Sequence, residues 1–303
     1  MFTIQVDNVE FLLKKKCDFT WLQKLGKVFT VFDQNDSGNI SFGVYNGKEK
    51  FFVKVAGLST SNASQSQEDT ICALKTAIPI YENIKHPNLI QLVKHYSVND
   101  LYIAIFKWAE GDCLFDHWNF EKYAKNSNLT PPAKRFKQLS ISQKIISSDV
   151  LFSFLETVSD SGYVAVDFYD GSIMYDFQND TITICDIDLF RQKPAWNDMG
   201  EDYWGTKRLK APEEYQYGAV IDEITNVYTL GALLFDSFFG NYSNSEIQKR
   251  YQKHIFEPCS IENWELNRTC YEVAKKAVSK ERKNRYSSIQ EFHKDWKEAL
   301  KTL

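Results

Sequence analysis

The first hundred residues carry a pattern of short β-prone runs that are separated by turn clusters. We predict strands over Val28–Phe32, Asn39–Tyr45, Lys50–Val55, Leu89–Lys94 and Leu101–Phe106. The pair Asn46-Gly47, which stands between two of these runs, is a strong hairpin signal. A polar stretch over 59–68 leads into a predicted helix that ends near Lys85, although Pro79 lies inside it and proline breaks or kinks helices.

Beyond Phe106 the apolar positions change to helical spacing. Apolar residues share one face at Ile141, Ile145, Phe152 and Leu155. Residues 226–239 form an apolar helix that ends at Gly240, and Ser288 with Glu291 marks a capping-box start for the last helix. Residues 124–138, which are rich in Asn, Ser, Thr and Pro, are predicted to be a surface loop. A small β-rich part thus precedes a larger helical part, and they join near Trp108–Gly111.

Composition and charge exclude several classes of protein. The 303 residues have a net charge of −4, so no strong basic field exists to attract nucleic acid or an anionic membrane. No apolar run reaches the roughly 18 residues of a membrane span, and the charges near the N-terminus argue against a signal peptide. The six cysteines form no CxxC pair and the five histidines show no metal-ligand spacing. We therefore expect no nucleic-acid or membrane partner, no disulfide framework, and a reducing cytoplasm.

Two features of the β-rich part suggest a phosphate site. The hairpin Asp36–Gly43 could cover a phosphate, but it lacks the full G-x-G-x-x-G pattern and hairpins with glycine are commonly plain turns. Lys54 lies inside the apolar run Phe51–Ala56, where an ammonium is costly unless it meets an anion. The alternative for Lys54 is the solvent face of an edge strand.

A series of motifs follows in order from about residue 25 to residue 300. They are Val53-Lys54, Asn83–Ile90, Trp108–Leu114, Trp204-Gly205-Thr206, Ala211-Pro212-Glu213, Asn226–Gly231 and Arg285. In this order and spacing the chain resembles the protein kinase superfamily. The resemblance implies an α+β, bilobal fold with a small β-rich N-lobe over 1–108 and a larger helical C-lobe over 109–303. The cleft of such a protein binds ATP with Mg²⁺ or Mn²⁺.

The resemblance also assigns roles to particular residues. The nucleotide-binding set that it implies is Lys54 of the third family strand, Gly38 and Gly43 of the hairpin, Phe106 as gatekeeper, and Lys107 and Trp108 at the hinge. Asp167 stands at the position of the catalytic base. Glu213 matches the glutamate of the family's Ala-Pro-Glu motif and is expected to pair with Arg285, while Thr206 is expected to contact Asp167.

The metal-binding residues are altered relative to the family. Asp186 takes the position of the metal-binding aspartate, and Asp188 that of the glycine two residues later. Ser172 replaces the metal-binding asparagine, and Asp170 could substitute as a hard oxygen ligand. A polar turn that caps a strand is the alternative for the two acids at 186 and 188. Their spacing, nineteen residues after Asp167 and before the Ala-Pro-Glu motif, favours the metal site.

Three further departures bear on activity and its control. Tyr169 replaces the catalytic-loop lysine, Ala77 stands where the family has the glutamate that pairs with the strand lysine, and Val166 replaces the phosphate-binding arginine. The segment over 189–210 contains no serine and a single threonine, Thr206. We therefore predict that activity does not require phosphorylation of this segment.

Three functions remain open. The first is a serine/threonine protein kinase that acts on an unknown protein substrate, and the second is a pseudokinase that binds nucleotide or partners without transfer. The third is a small-molecule phosphotransferase, although such enzymes usually lack the Ala-Pro-Glu motif. The stretch Asp167–Ser172 followed by Asp186–Asp188 resembles a divergent group of bacterial kinase-like proteins, which suggests a bacterial cytoplasm.

Overall fold

The computed structural model describes residues 1–33, 38–60, 65–116, 119–126, 128–252 and 256–303, and these divide into two units. The first unit contains residues 1–85 and 89–110, and the second contains 86–88 and 111–303. The chain therefore changes unit after Glu110 rather than after Trp108. Gly111 has φ +104°, and a Cβ there would lie 2.4 Å from the Tyr175 carbonyl oxygen, so the turn into the second unit requires glycine.

An antiparallel sheet forms the centre of the first unit. A hairpin of β1 (Phe2–Val6) and β2 (Val9–Leu13) and a short helix α1 (Thr20–Gln23) precede it, and the sequence pattern did not predict them. Among the described residues the sheet has the order β3-β4-β5-β7-β6. Its strands are β3 (Lys27–Phe32), β4 (Ile40–Tyr45), β5 (Lys50–Ala56), β6 (Leu92–Val98) and β7 (Leu101–Lys107).

The predicted Asn-Gly hairpin is present between β4 and β5. Tyr45 pairs with Lys50, so the loop holds four residues, and the Asn46 Oδ1 accepts the backbone N–H groups of Lys48 and Glu49 at 2.9 Å each. The strand predicted over Leu89–Lys94 begins later, at Leu92. The residues just before Leu89 belong to the second unit, where the Asn88 carbonyl accepts the Ile184 N–H at 2.7 Å.

Helix α2 (Gln67–Asn83) packs on β5 and β7. It begins with a capping box in which the Ser66 Oγ accepts the Asp69 N–H and the Asp69 carboxylate accepts the Ser66 N–H. The helix continues through Pro79 because that residue lies on the exposed face. Proline leaves the carbonyl of Lys75 without its helical donor, and Lys75 is itself an exposed residue.

Helices dominate the second unit, as the change of spacing predicts. They are α3 (Phe120–Lys125), α4 (Pro132–Lys137), α5 (Ile141–Asp160), α6 (Glu223–Leu233), α7 (Asn244–Gln252), α8 (Arg268–Ala277) and α9 (Ile289–Leu300). Short strands lie among them: β8 (Asp112–Cys113), β9 (Tyr163–Val164), β10 (Ile173–Asp176), β11 (Thr181–Ile184), β12 (Arg191–Gln192), β13 (Ala195–Trp196) and β14 (Val220–Ile221). Helix α6 continues as a π-helix over Leu234–Phe239, which ends before Gly240 as predicted.

The predicted surface loop over 124–138 is wrong, because it contains the end of α3 and the whole of α4. Pro132 begins α4, where its fixed φ suits a helix and its missing N–H costs nothing. Phe136 is fully buried, with its ring centroid 5.1 Å from that of Tyr175 and 5.0 Å from that of Phe238. Burial of Pro132 and Phe136 therefore anchors a short helix within a polar stretch of sequence.

The last helix follows its predicted pattern. The Ser288 Oγ accepts the Glu291 N–H at 3.1 Å, and Ile289, Phe292 and Trp296 are buried. The reciprocal bond is different, since the Glu291 carboxylate accepts from Ser287 instead of Ser288. None of the described helices is long and apolar enough to cross a bilayer, and the six cysteines are free.

Candidate active site

Lys54 lies on the central strand of the first unit's sheet. It pairs with Ser41 of β4 on one side and with Ala104 of β7 on the other, so the alternative of an edge strand is wrong. Its neighbours Val53 and Val55 are fully buried, and Lys54 itself is only 9% exposed. An ammonium on such a strand requires anionic or polar partners, which is the property that a phosphate-binding lysine needs.

The predicted gatekeeper and hinge residues end β7. Phe106 is buried, and its ring packs edge-on against Tyr81 with centroids 4.8 Å apart. The Lys107 side chain is exposed, whereas its N–H donates to the Gln91 carbonyl at 2.9 Å. Trp108 is half-buried, and its indole N–H donates to Glu110 at 3.2 Å. The chain at 106–108 is thus held by backbone and side-chain contacts within the first unit.

The two glycines of the predicted phosphate cover differ in their surroundings. Gly38 has φ +74°, a conformation that favours glycine, but the preceding residues Asp36 and Ser37 lie outside the described residues. A Cβ at Gly43 would lie 2.6 Å from ring carbon Cζ of Phe29 and from Cγ2 of Thr30. The absence of a side chain at Gly43 therefore makes room for the Phe29 ring. The phosphate-binding roles of Gly38 and Gly43 stay predictions.

In the second unit a helix holds the loop that precedes Asp167. The side chain of Asn226, in α6, accepts the Ala165 N–H at 2.8 Å and donates to the Ala165 carbonyl at 2.6 Å. Both bonds are buried. Asp167 follows two residues later with φ +57°, a left-handed conformation that costs a non-glycine residue about 1–3 kcal/mol. The clamp is well placed to maintain this unfavourable backbone.

Asp167 lines a pocket together with Thr206, Lys210, Glu214 and other residues of the second unit. Burial, followed by the negative charge of Asp186, raises the pKa of Asp167 to about 7, and the ammonium of Lys210 opposes the rise. A carboxyl group with a pKa near neutrality suits proton transfer at the pH of a cell. Thr206 lines the same pocket as Asp167, and a direct contact between the two stays a prediction.

Lys210 and Glu214 were not singled out from the sequence. The Lys210 ammonium donates to the Tyr203 carbonyl at 2.6 Å and to the Glu201 carbonyl at 3.2 Å. Burial raises the pKa of Glu214 to about 8, although the Ala211 N–H donates to its carboxylate at 2.7 Å. The local sequence does not predict a role for Lys210 or Glu214, because their positions beside Asp167 arise only in the folded chain.

Asp186 and Ser172 fit a cation bound through oxygen atoms. The Cys185 N–H donates to the Ser172 carbonyl at 2.9 Å, which holds Ser172 beside the strand end that carries Asp186. The Ser172 hydroxyl is buried and has no hydrogen-bond partner among the described residues. Mg²⁺ takes few protein ligands and completes its shell with phosphate and water oxygens. The Asp186 carboxylate and the Ser172 hydroxyl are oxygen donors of the kind that this coordination needs.

The other two predicted metal ligands are placed differently. Asp170 is buried, forms an ion pair with Arg208, and accepts the Ser237 hydroxyl at 3.3 Å. Asp170 is therefore an ion-pair partner and not the substitute metal ligand that its sequence position suggested. Asp188 is half-buried and its role stays a prediction. Within the described ranges, no three Asp, Glu, His or Cys side chains form a metal cage by themselves.

The predicted pair of Glu213 and Arg285 is present. Arg285 donates to both carboxylate oxygens of Glu213, at 2.7 Å and 2.9 Å. Arg282 and Thr225 also donate to Glu213, at 2.7 Å and 3.0 Å. These donors hold the pKa of Glu213 below its usual value although its burial acts to raise it. The residues after the pocket are therefore anchored to α6 and to the loop before α9.

The three departures from the family pattern are also visible. Ala77 is fully buried on α2 and carries no charge, and the nearby Glu82 faces His95 at 3.4 Å. Val166 is buried. Tyr169 lies close over Gly171, and burial together with neighbouring negative charges raises the pKa of its phenol. The loop thus carries a neutral ring where the family has an ammonium.

The family assignment rests on most of the chain. The family model described as protein kinase domain matches residues 37–297. The match covers the strands β4 to β7, the Asp167 loop, Asp186 and the Glu213–Arg285 pair. The observed order, a β-rich unit followed by a helical one, is the α+β bilobal arrangement of that family. The chain therefore belongs to the protein kinase domain family.

Proposed function

We propose that this chain is an ATP-dependent serine/threonine protein kinase that uses Mg²⁺ or Mn²⁺ and acts on a protein substrate. The observation that carries the proposal is the environment of Asp167. Its carboxyl group lines a pocket, has a pKa near 7, and lies within electrostatic reach of Asp186. Carboxyl groups with perturbed pKa values that lie close to one another in a pocket are typical of functional sites, which supports a catalytic role for Asp167.

The residues divide the reaction between them. Lys54 would neutralise phosphate oxygens of ATP, and Asp186 with Ser172 would hold the divalent cation, which supplies further charge neutralisation. Asp167 would orient the acceptor hydroxyl and take its proton. The hydroxyl oxygen then forms a bond to the γ-phosphorus, the bond from that phosphorus to the β–γ bridging oxygen breaks, and ADP leaves with the bonding electrons.

A protein substrate is favoured over a small molecule by the region after Asp186. The Glu213 anchor, with its two arginines, holds the residues next to the Asp167 pocket in one arrangement. Such a braced surface suits a peptide chain that lies across the pocket. We also propose a bacterial cytoplasm as the setting, because Asp167–Ser172 followed by Asp186–Asp188 resembles a divergent group of bacterial kinase-like proteins.

The pseudokinase remains the second candidate because Ala77 and Tyr169 remove two charges that the family uses. Purified protein with labelled ATP and Mg²⁺ or Mn²⁺ distinguishes the two. Asp167→Asn and Asp186→Asn test the site, and Asp160→Asn, at an exposed helix end, is the matched control. Phosphate transfer to serine or threonine by the parent and by the control, but by neither Asp167→Asn nor Asp186→Asn, supports the kinase. No transfer, with a nucleotide-dependent rise in melting temperature, supports the pseudokinase.

A further inference from the structure

Four buried charges of alternating sign form a row in the second unit: Asp170, Arg208, Asp236 and Arg250. The Arg208 guanidinium donates through Nη2 to Asp170 and through Nη1 to Asp236. Arg250 donates through Nη2 to the other oxygen of Asp236 at 2.5 Å. The four side chains are between 4% and 14% exposed, so solvent hardly reaches the row.

The row joins parts of the chain that are far apart in sequence. Asp170 opens the turn three residues after Asp167, and Arg208 follows Thr206 in the segment that lines the same pocket. Asp236 lies in the π-helix that continues α6, and Arg250 lies in α7. A single guanidinium, that of Arg208, thus links the loop of the catalytic aspartate to the segment over 189–210 and to the helical core.

Further contacts fix Arg208 in this position. Its guanidinium carbon lies 4.8 Å from the ring centroid of Phe115, a cation–π distance. The Arg208 carbonyl accepts from Arg250 Nη2 at 3.5 Å, and the Ser237 hydroxyl donates to Asp170 at 3.3 Å. The row is therefore supported by hydrogen bonds as well as by charge.

Burial makes it costly to break any ion pair of the row. Charges that are removed from water are tolerated only while they are paired, so removing one partner leaves a costly unpaired charge. If Arg208 moved away with its segment, the carboxylates of Asp170 and Asp236 would lose a shared cation. The arrangement in which the segment and the catalytic loop are joined is thus favoured without any added group.

We propose that Arg208 is a positioning residue that holds the segment over 189–210 against the Asp167 loop, so that the pocket is assembled without a phosphate on the segment. The proposal rests on the proposed kinase function. It also explains two sequence features together, since the segment offers only Thr206 as a Ser/Thr acceptor and Val166 replaces the family's phosphate-binding arginine.

The test compares Arg208→Met with Arg208→Lys and with the double variant Asp170→Asn/Arg208→Met. The matched control is Arg191→Met in the same segment, where Arg191 is 32% exposed, pairs with the 60% exposed Asp198 and lies 5.3 Å from the Tyr203 ring centroid. We expect Arg208→Met to lower kcat by about 10²-fold, as misplacement of a catalytic group does, with KM for ATP changed less than about twofold. Arg208→Lys should restore part of kcat, and the control should stay within about twofold of the parent.

The double variant separates positioning from mere stability. It removes the unpaired carboxylate of Asp170, so the melting temperature should recover towards that of the parent. The link between loop and segment is still missing, so kcat should stay low. Recovery of kcat together with melting temperature would show that Arg208 only stabilises the fold and would overturn the proposal. If Arg208→Met does not fold, kcat and melting temperature are compared in the same way between Asp170→Asn and the parent.

Hydrogen exchange gives a readout that does not depend on catalysis. Amides in 165–172 and 200–210 should exchange faster in Arg208→Met than in Arg191→Met. Unchanged exchange in both stretches would overturn the proposal whether or not the parent transfers phosphate. A parent that transfers phosphate but loses its rate on phosphatase treatment, with phosphate found on the segment, would overturn it as well.

Discussion

The clamp between Asn226 and Ala165 leads to a prediction that joins stability to catalysis. Asn226→Ala removes two buried hydrogen bonds, of 2.8 Å and 2.6 Å, and leaves the Ala165 N–H and carbonyl without those partners. Each buried group left unpaired costs about 1–3 kcal/mol, and we expect the variant to be destabilised by about 3 kcal/mol in total. At about 2–4 °C for each kcal/mol, the melting temperature should fall by about 6–12 °C.

The loop that Asn226 holds leads directly into Asp167, so the same change should impair transfer. A displaced carboxylate costs about 10²-fold in rate. The assay measures kcat well below the melting temperature of the variant, together with thermal melting. Asn284→Ala is the control because Asn284 is exposed, and it should stay within about 0.5 kcal/mol of the parent.

One further variant sharpens the comparison. Asn226→Asp keeps an acceptor for the Ala165 N–H but presents a carboxylate oxygen to the Ala165 carbonyl in place of the N–H donor. Its stability and rate should therefore lie between those of the parent and Asn226→Ala. If Asn226→Ala melts like the parent and keeps its kcat within about twofold, the clamp does not position the loop and this reasoning fails.

Three more predictions follow from the same region. Because proton abstraction needs ionised Asp167, whose pKa is about 7, kcat/KM should rise with pH up to about 7; a profile flat from pH 5.5 to 8 would contradict this role. The folded-state pKa of Glu214, about 8, is raised above its ordinary 4.5, so the unfolded chain ionises first and stability is lost as pH rises from about 4.5 to about 8. Glu214→Gln should therefore melt like the parent near pH 4.5 and progressively above it towards pH 8, and equal differences at both ends of that range would refute this. Glu213→Ala leaves Arg285 buried and unpaired, and should cost about 3–5 kcal/mol in urea unfolding. The exposed control Asp198→Ala should cost less than about 1 kcal/mol, and similar losses in both would show that burial of the pair is unimportant.

Local patterns in the sequence were enough to predict the strands around Lys54 and the last helix. Alternation and turn residues depend on a few neighbours, so they predict β3, β4, β5 and β7 closely. The order and spacing of the motifs likewise predicted the fold and the Glu213–Arg285 pair. The sequence predicts these features because each depends either on neighbouring residues or on a motif shared with the family.

Other features depend on contacts between distant residues. Residues 124–138 are polar by composition, yet α4 forms because Phe136 finds a buried site between Tyr175 and Phe238. Residues 86–88 belong to the second unit although they stand just before a strand of the first, and the local sequence does not show this. In both cases tertiary packing outweighs the local preference.

The largest difference between expectation and structure concerns Asp170. Its position after Asp167 suggested a metal ligand, whereas the fold pairs it with Arg208, which lies 38 residues further along the chain. Asn226 likewise meets Ala165 across 61 residues. Electrostatic and hydrogen-bonding partners are chosen by which groups are buried together, and burial is a property of the folded chain. The candidate residues could thus be named from the sequence, but the tertiary structure decided which of them face the pocket and which hold it together.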